Sequence, residues 1–403
     1  MRTDAGRSRA VPEGRARPLP RSQGWPLAGL NEPLAAHRPP LRKPCLAPPL
    51  LLFFALSAGC RSAALPALPP AGDEATVFVP GYKGSFLAEA SGEHSWITPG
   101  QALGTGDRSL ALPFPGQRGG ARFGPLHPDG PITRISVLGI GEDVYLPFLE
   151  FAARSLPGVV PFAYDWRRDV RDSGRDLCAT IEALKATRVT VIAHSMGGLV
   201  TMHCLARGLS KIRRVVFAGT PFGGAPEIYK DLVRGDPVGR NRALLSAEAL
   251  FSFTASWQLL PEAGPVFTDE SGASLPRAVR SLAPRLGVFA DGKLRHDPAY
   301  RAELVRQVAA HEEHWSVIAK VVPGVPVLVV VGEGNGAVAG IRLTAGAPDF
   351  DHPPIADGDG TVMATSARPA FPHDEVVTHT KHTALLNDSA VQAAIARFLG
   401  ERH

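Results

Sequence analysis

The sequence predicts an α/β fold, with a mostly parallel central sheet and helices on both of its faces. Three observations point there. From residue 76 onward, short β-branched apolar runs alternate with amphipathic stretches, the rhythm of strand–helix–strand units. Most of those runs are apolar without alternation, as strands covered on both faces must be. No period of about 20–50 residues repeats, which excludes solenoids and propellers. The expected strands are 76–79, 135–139, 159–163, 189–193, 214–218, 325–331 and 375–378.

A chain of 403 residues with 44% hydrophobic and 20% charged residues can bury a full core, and is neither a polytopic membrane protein nor disordered throughout. Its 42 Gly and 38 Pro exceed the ordinary share of about 12%, so turns and some Pro-rich chain are expected. The net charge of +5 is not evenly spread. Residues 1–43 hold nine Arg/Lys against three Asp/Glu, leaving 34 basic and 35 acidic residues in 44–403. The basic excess therefore belongs to the N-terminus, and nucleic acid is excluded as a partner of the folded part.

Residues 1–43 read as an Arg/Pro-rich disordered extension, or as sequence preceding a downstream translation start. After Arg42-Lys43, the apolar run 50–58 is far short of the ~20 residues that span a bilayer. Residues 44–60 have the proportions of a signal peptide, with small residues Ser57, Ala58 and Gly59 directly before Cys60. They resemble a bacterial lipoprotein signal in which Cys60 is lipidated, although Ser57 stands where Leu is preferred, so a plain secretory signal is the alternative. Export follows from either reading, to a membrane-anchored or a periplasmic or secreted state. Residues 61–75 are a Pro/Ala linker that could hold a domain up to ~45 Å from a membrane surface. Beyond Cys60 only Cys178 and Cys204 remain, both in expected helices, and two thiols make no disulfide framework.

The most informative segment runs from Arg188 to Val200. An apolar strand enters a sharp turn carrying Ser195, then Met196-Gly197-Gly198, then a helix, which is the context of a nucleophile elbow. Ala193 stands where the first Gly of G-x-S-x-G would be. A serine hydroxyl needs a histidine base oriented by a carboxylate, in the chain order Ser, acid, His. Asp357-Gly-Asp359-Gly after the last long strand offers the acid, with Asp359 preferred over Asp357. His379 and His382 both sit on the loop after the final strand. His382 is preferred because its segment continues into the terminal helix, and His379 is read as solvated or supporting. Backbone amides of Met196 and of Tyr82, in the glycine-bearing loop after the first strand, are expected to bind the oxyanion. His311-Glu-Glu-His314 matches no zinc motif and reads as a solvated helix face. His203 shows no partner, and no metal or cofactor is expected.

These residues resemble the lecithin:cholesterol acyltransferase-like lipases and acyltransferases of the α/β-hydrolase fold. The matching pieces are residues 79–85, Tyr164-Asp165-Trp166-Arg167, the Ser195 elbow, Gly219–Gly224, Ser256-Trp257-Gln258-Leu259-Leu260-Pro261, 357–362 and His382. The resemblance covers most of 76–400, the extent expected for the domain. It implies a serine mechanism on lipid esters and leaves water or alcohol open as acyl acceptor. Trp257 departs from the family's usual Tyr. Between about 225 and 322 the sheet pattern gives way to helical chain, expected to form a cap, with Phe222, Trp257 and Leu260 as candidate acyl-pocket residues. The leading reading is an exported serine esterase or lipase acting at a membrane surface. An acyltransferase and a catalytically inactive binding module are the alternatives.

Overall fold

Six runs rich in Val, Ile and Phe form the central sheet of the computed structural model, which describes residues 72–117, 122–137, 140–262, 267–274, 279, 286–289, 292, 294–344 and 347–400. The N-terminal extension, the signal segment with Cys60 and residues 61–71 of the expected linker lie outside the described residues. The strands are β1 (Glu74–Val79), β2 (Val159–Pro161), β3 (Arg188–His194), β4 (Ile212–Ala218), β5 (Val327–Gly332) and β6 (Asp374–Thr378). Their order is β6-β5-β4-β3-β1-β2, and every neighbouring pair is parallel. Strand β1 begins inside the expected 61–75 linker, because Ala75 is already buried in register with Val189.

Period-two side-chain geometry sends successive residues to opposite faces. Val77, Val79, Val191, Ala193, Val215, Phe217, Val329 and Val331 join one core, whereas Phe78, Ile192, Val216, Ala218, Leu328 and Val330 join the other. The second face is covered by helices α1 (Leu146–Ser155) and α8 (Ser389–Gly400) through Phe148, Leu149, Val391, Ile395 and Phe398. The first is covered by α2 (Val170–Ala183) and α3 (Met196–Leu205). Between β4 and β5, the described residues form α4 (Ile228–Arg234), α5 (Ala247–Ser252), α6 (Thr254–Gln258) and the long α7 (Pro298–Ile318), and none of them joins the central sheet.

Four expectations need correction. The run at 135–139 is not a central strand: Arg134–Val137 pairs antiparallel with Ile140–Asp143 in a separate ribbon, and residues 138–139 lie outside the described residues. Pairing with the segment next to it in sequence needs little loop closure, so the run pairs locally and does not join the distant sheet. Cys178 and Cys204 are not separate thiols. Helices α2 and α3 lie side by side, bring the two Cα atoms to 5.3 Å and join them in a disulfide. The His311/His314 face is not solvated, because α7 turns it inward, where His311 is 1% and His314 0% exposed. His203 then has a partner, its Nε2 lying 2.8 Å from His314 Nδ1.

Candidate active site

The chain changes direction across the sheet at β1, so the loops after β1 and β3 diverge and open a crevice at the strands' carboxyl ends. Ser195 stands there, between β3 and α3, at φ 54° and ψ −129°. Such a backbone turn needs small neighbours. A Cβ on Gly197 would come within 2.5 Å of the Val79 and Pro80 carbonyl oxygens, and one on Gly198 within 2.0 Å of Thr220 Oγ1. These two glycines let α3 start directly behind the sheet, which holds Ser195 up in a tight turn.

His382, at the start of a 3-10 turn after β6, faces that serine. Its Nε2 is 2.9 Å from Ser195 Oγ, and its Nδ1 is 2.7 Å from Asp359 Oδ2. All three residues are buried. Burial works to raise the Asp359 pKa, but the His382 contact and the Thr361 and Val362 amides, which donate to Oδ1, hold it below the ordinary carboxylate range. The other two candidates stand apart from this line. Asp357 is exposed and its Oδ1 accepts from the Gly334 and Gly358 amides, so it shapes the turn. His379 is exposed, its Nδ1 3.3 Å from the Glu333 carbonyl oxygen. Gly219, at φ 58°, lies against two of these side chains: a Cβ there would come within 3.1 Å of both Asp359 Oδ2 and His382 Cε1.

The loop after β1 wraps the other side of Ser195. A Cβ on Gly81 would come within 2.8 Å of Ser195 Cβ, so the Tyr82 amide follows a residue whose backbone lies close to Ser195. Met196 occupies the first position of α3, where a helix N–H has no acceptor within its own helix. The Tyr-Asp-Trp-Arg segment holds this loop in shape. Tyr164 Oη donates to the Pro80 carbonyl at 2.9 Å, and Trp166 Nε1 to the Ser85 carbonyl at 3.1 Å. Asp165 neutralises the buried Arg167, whose Nη1 donates to Leu110 O. The helical segment after β4 touches the loop as well, because the Tyr82 and Ser256 hydroxyls are 2.7 Å apart and Lys83 pairs with Asp236. Sequence reasoning missed these last contacts, since nothing in the spacing links 82–83 to 236 and 256.

The three candidate pocket residues differ in exposure. Trp257 and Leu260 are 1% and 2% exposed and belong to the interior, with the Trp257 indole donating to the Phe251 carbonyl. Phe222 is half-buried and packs edge-on against Phe217 and Phe371. Gln258 completes the cap of α2, because its Oε1 accepts from Val170 N at 2.8 Å while its Nε2 donates to Asp169 Oδ1 at 2.7 Å. Among the described residues, no group of three or more His, Cys, Asp or Glu side chains converges as metal ligands would.

A lecithin:cholesterol acyltransferase family model matches residues 155–279, from the entry of β2 through the Ser195 elbow and past α6. The lysosomal phospholipase A and acyltransferase of Canis lupus familiaris is 30% identical over 228 residues, covering 51% of each chain. About half of the chain is thus similar to lecithin:cholesterol acyltransferase-like lipases and acyltransferases. The human lysosomal phospholipase A and acyltransferase matches at 29% over 228 residues, 51% of this chain and 50% of that one. An uncharacterized protein of Saccharomyces cerevisiae matches at 28% over 200 residues, 48% of this chain and 30% of the yeast one. The chain thus spans about half the length of the lysosomal relatives and less than a third of the yeast relative. Asp359 and His382 fall outside the span of the family match. A solved chain of the Tle4-Tli4 complex superposes over 82% of this chain and 98% of its own, with TM-score 0.54 at 13% identity, a likeness of fold. That fold is the α/β-hydrolase fold, with the parallel sheet and the strand–turn–helix around Ser195 as its marks.

Proposed function

We propose that this chain is an exported serine esterase of the lipase type, acting on acyl esters of lipids through an acyl-enzyme. The observation that carries the proposal is the His382 imidazole set between Ser195 Oγ and Asp359 Oδ2 at 2.9 and 2.7 Å, with the serine on a strained elbow. His382 Nε2 takes the proton of Ser195 as Oγ attacks the ester carbonyl, and Asp359 fixes the Nδ1–H tautomer and offsets the imidazolium charge. Amides of Tyr82 and Met196 stabilise the oxyanion as the tetrahedral species forms. Collapse returns the proton to the departing alcohol and leaves an acyl group on Ser195. Water, activated by the same histidine, releases the acid.

A second reading replaces water by a lipid alcohol. It is favoured by the name of the lysosomal relatives, which covers phospholipase A and acyltransferase together. Export is supported by the Cys178–Cys204 disulfide, a bond that persists in oxidising compartments, and by the signal-like segment at 44–60 ending at Cys60, the residue proposed to be lipidated. The helical chain at about 225–322 is proposed to act as a cap, through its contacts to Tyr82 and Lys83.

Product mass spectrometry tests both readings. Mixed phospholipid and glyceride vesicles with an added alcohol are incubated with the full chain and with Ser195→Ala. Free acid, or acyl chains moved to the alcohol, that vanish with Ser195→Ala support the proposal and decide the acceptor. Identical products from both proteins would sink it.

A further inference from the structure

A buried imidazole beside the nucleophile has two specific partners that the triad does not explain. His194, the residue preceding Ser195, is 4% exposed, and both of its ring nitrogens are engaged. Nε2 lies 2.9 Å from the His382 carbonyl oxygen, and Nδ1 lies 2.8 Å from the Tyr145 hydroxyl. The same hydroxyl accepts the Gly81 amide proton at 3.0 Å. These contacts run in one direction only. A carbonyl can only accept, so His194 Nε2 carries the proton, and burial, which pushes the His194 pKa down to about 3, leaves the ring with that one N–H. Nδ1 therefore accepts, Tyr145 O–H donates to it, and the phenol oxygen keeps a lone pair for Gly81 N–H.

We propose that Tyr145 and His194 are positioning residues, a hydrogen-bonded relay that fixes the oxyanion loop at Gly81 relative to the loop carrying His382. The proposal rests on the serine-esterase reading above. The oxyanion donors and the general base come from different strand ends, yet must agree in position to a fraction of an ångström. The relay passes under Ser195 and touches both. Gly81 N–H at one end directly precedes the Tyr82 amide, and the His382 carbonyl at the other belongs to the base itself. The Gly-x-x-Gly spacing of the loop fits the same purpose: a Cβ on Gly84 would come within 3.0 Å of Tyr145 Oη, and one on Gly81 within 3.1 Å of His194 Nδ1. A separate tie holds the origin of Tyr145. Asn387, five residues after His382, donates to Val144 O at 2.9 Å and accepts from Phe148 N at 3.1 Å. Neither Tyr145 nor His194 reaches a reacting atom in this scheme, so their effect is on geometry.

The test uses the full chain with Tyr145→Phe, His194→Gln and the double variant, each first checked by melting temperature. The readouts are the rate of fluorophosphonate labelling of Ser195, and kcat and KM on a p-nitrophenyl ester. Each single substitution is expected to slow labelling and lower kcat by about 10–100-fold, with KM within about threefold, as loss of transition-state contacts does. The double variant should be no slower than the slower single one, because both act on one unit. Labelling within about twofold of wild type in Tyr145→Phe, or losses that multiply in the double variant, overturns the relay. If His194→Gln does not fold, Tyr145→Phe decides alone by its kcat-against-KM split. Ser195→Ala separates the two levels: a wild type that is not labelled at Ser195 defeats the serine reading and the relay with it, whereas labelled wild type with indifferent variants defeats the relay only.

Discussion

Ser195 occupies a positive φ that costs a non-glycine residue on the order of 1–3 kcal/mol, and the contacts around it hold it there. Its own amide donates to Ala218 O on the neighbouring strand at 2.8 Å, and Gly198 N–H returns to Ser195 O at 2.9 Å. Substitutions at the proposed triad should act on rate more than on folding. Asp359→Asn is expected to lower kcat by about 10⁴-fold, because the imidazole loses its tautomer, whereas Asp357→Asn should change it less than about threefold. Steady-state kinetics of the two variants side by side check this, and equal losses would return the acid to Asp357. Gly198→Ala should destabilise by about 2–3 kcal/mol, since its methyl meets the Thr220 side chain, measured as a fall in denaturant midpoint. The convergence of Ser195, Asp359 and His382 was legible because the proposed nucleophile, acid and base follow a fixed order on characteristic turns. Tyr145 and His194 were not, since a tyrosine before a helix and a histidine ending a strand look like ordinary core residues.

Helices α2 and α3 are joined by the Cys178–Cys204 bridge, which closes a sequence separation of 26 residues. Replacing both cysteines by serine should cost about 3 kcal/mol by loop-closure entropy, read as a lower melting temperature than wild type under non-reducing conditions and equal to it after reduction. Helices α3 and α7 meet through His203 and His314, and burial lowers the pKa of both, His203 to about 4. With His194 these are imidazoles kept neutral in the fold but free to protonate in the unfolded chain. Their stability contribution is complete above the ordinary histidine pKa and is lost as pH falls toward the folded values, at up to ~1.4 kcal/mol per pH unit for each. The depressed Asp359 pKa acts in the same sense at lower pH. The melting temperature is expected to drop by several degrees from pH 7.5 to pH 5, and an unchanged value would contradict these burials. The inward turn of α7 escaped sequence reading because its charged residues, from Glu303 to Glu313, disguise which face carries the histidines. The ribbon at 134–143 escaped it because a short apolar run does not say whether its partner is distant or adjacent.

At the scale of the molecule, the sheet was legible where strands are apolar on both sides, as in β3, β4 and β5, whose residues beyond the first turn are almost all buried. Covering elements were less so, because one amphipathic pattern serves many packings. The Tyr-Asp-Trp-Arg and Gln-Leu-Leu-Pro segments that carried the family resemblance turn out to brace the loop after β1 and cap α2. Trp257 and Leu260 fill the interior around them. Substrate selection is therefore expected to depend on the loops after β1 and β4, near Tyr82 and Phe222, more than on those two residues. No helix among the described residues is long and apolar enough to cross a membrane. The proposed chemistry requires every transferred acyl group to pass through Ser195. The most direct measurement is peptide mass mapping of the enzyme acid-quenched during turnover of a phospholipid ester. One acyl mass is expected on the peptide containing Ser195, absent from Ser195→Ala; acyl mass on another residue, or turnover that persists in Ser195→Ala, would contradict it.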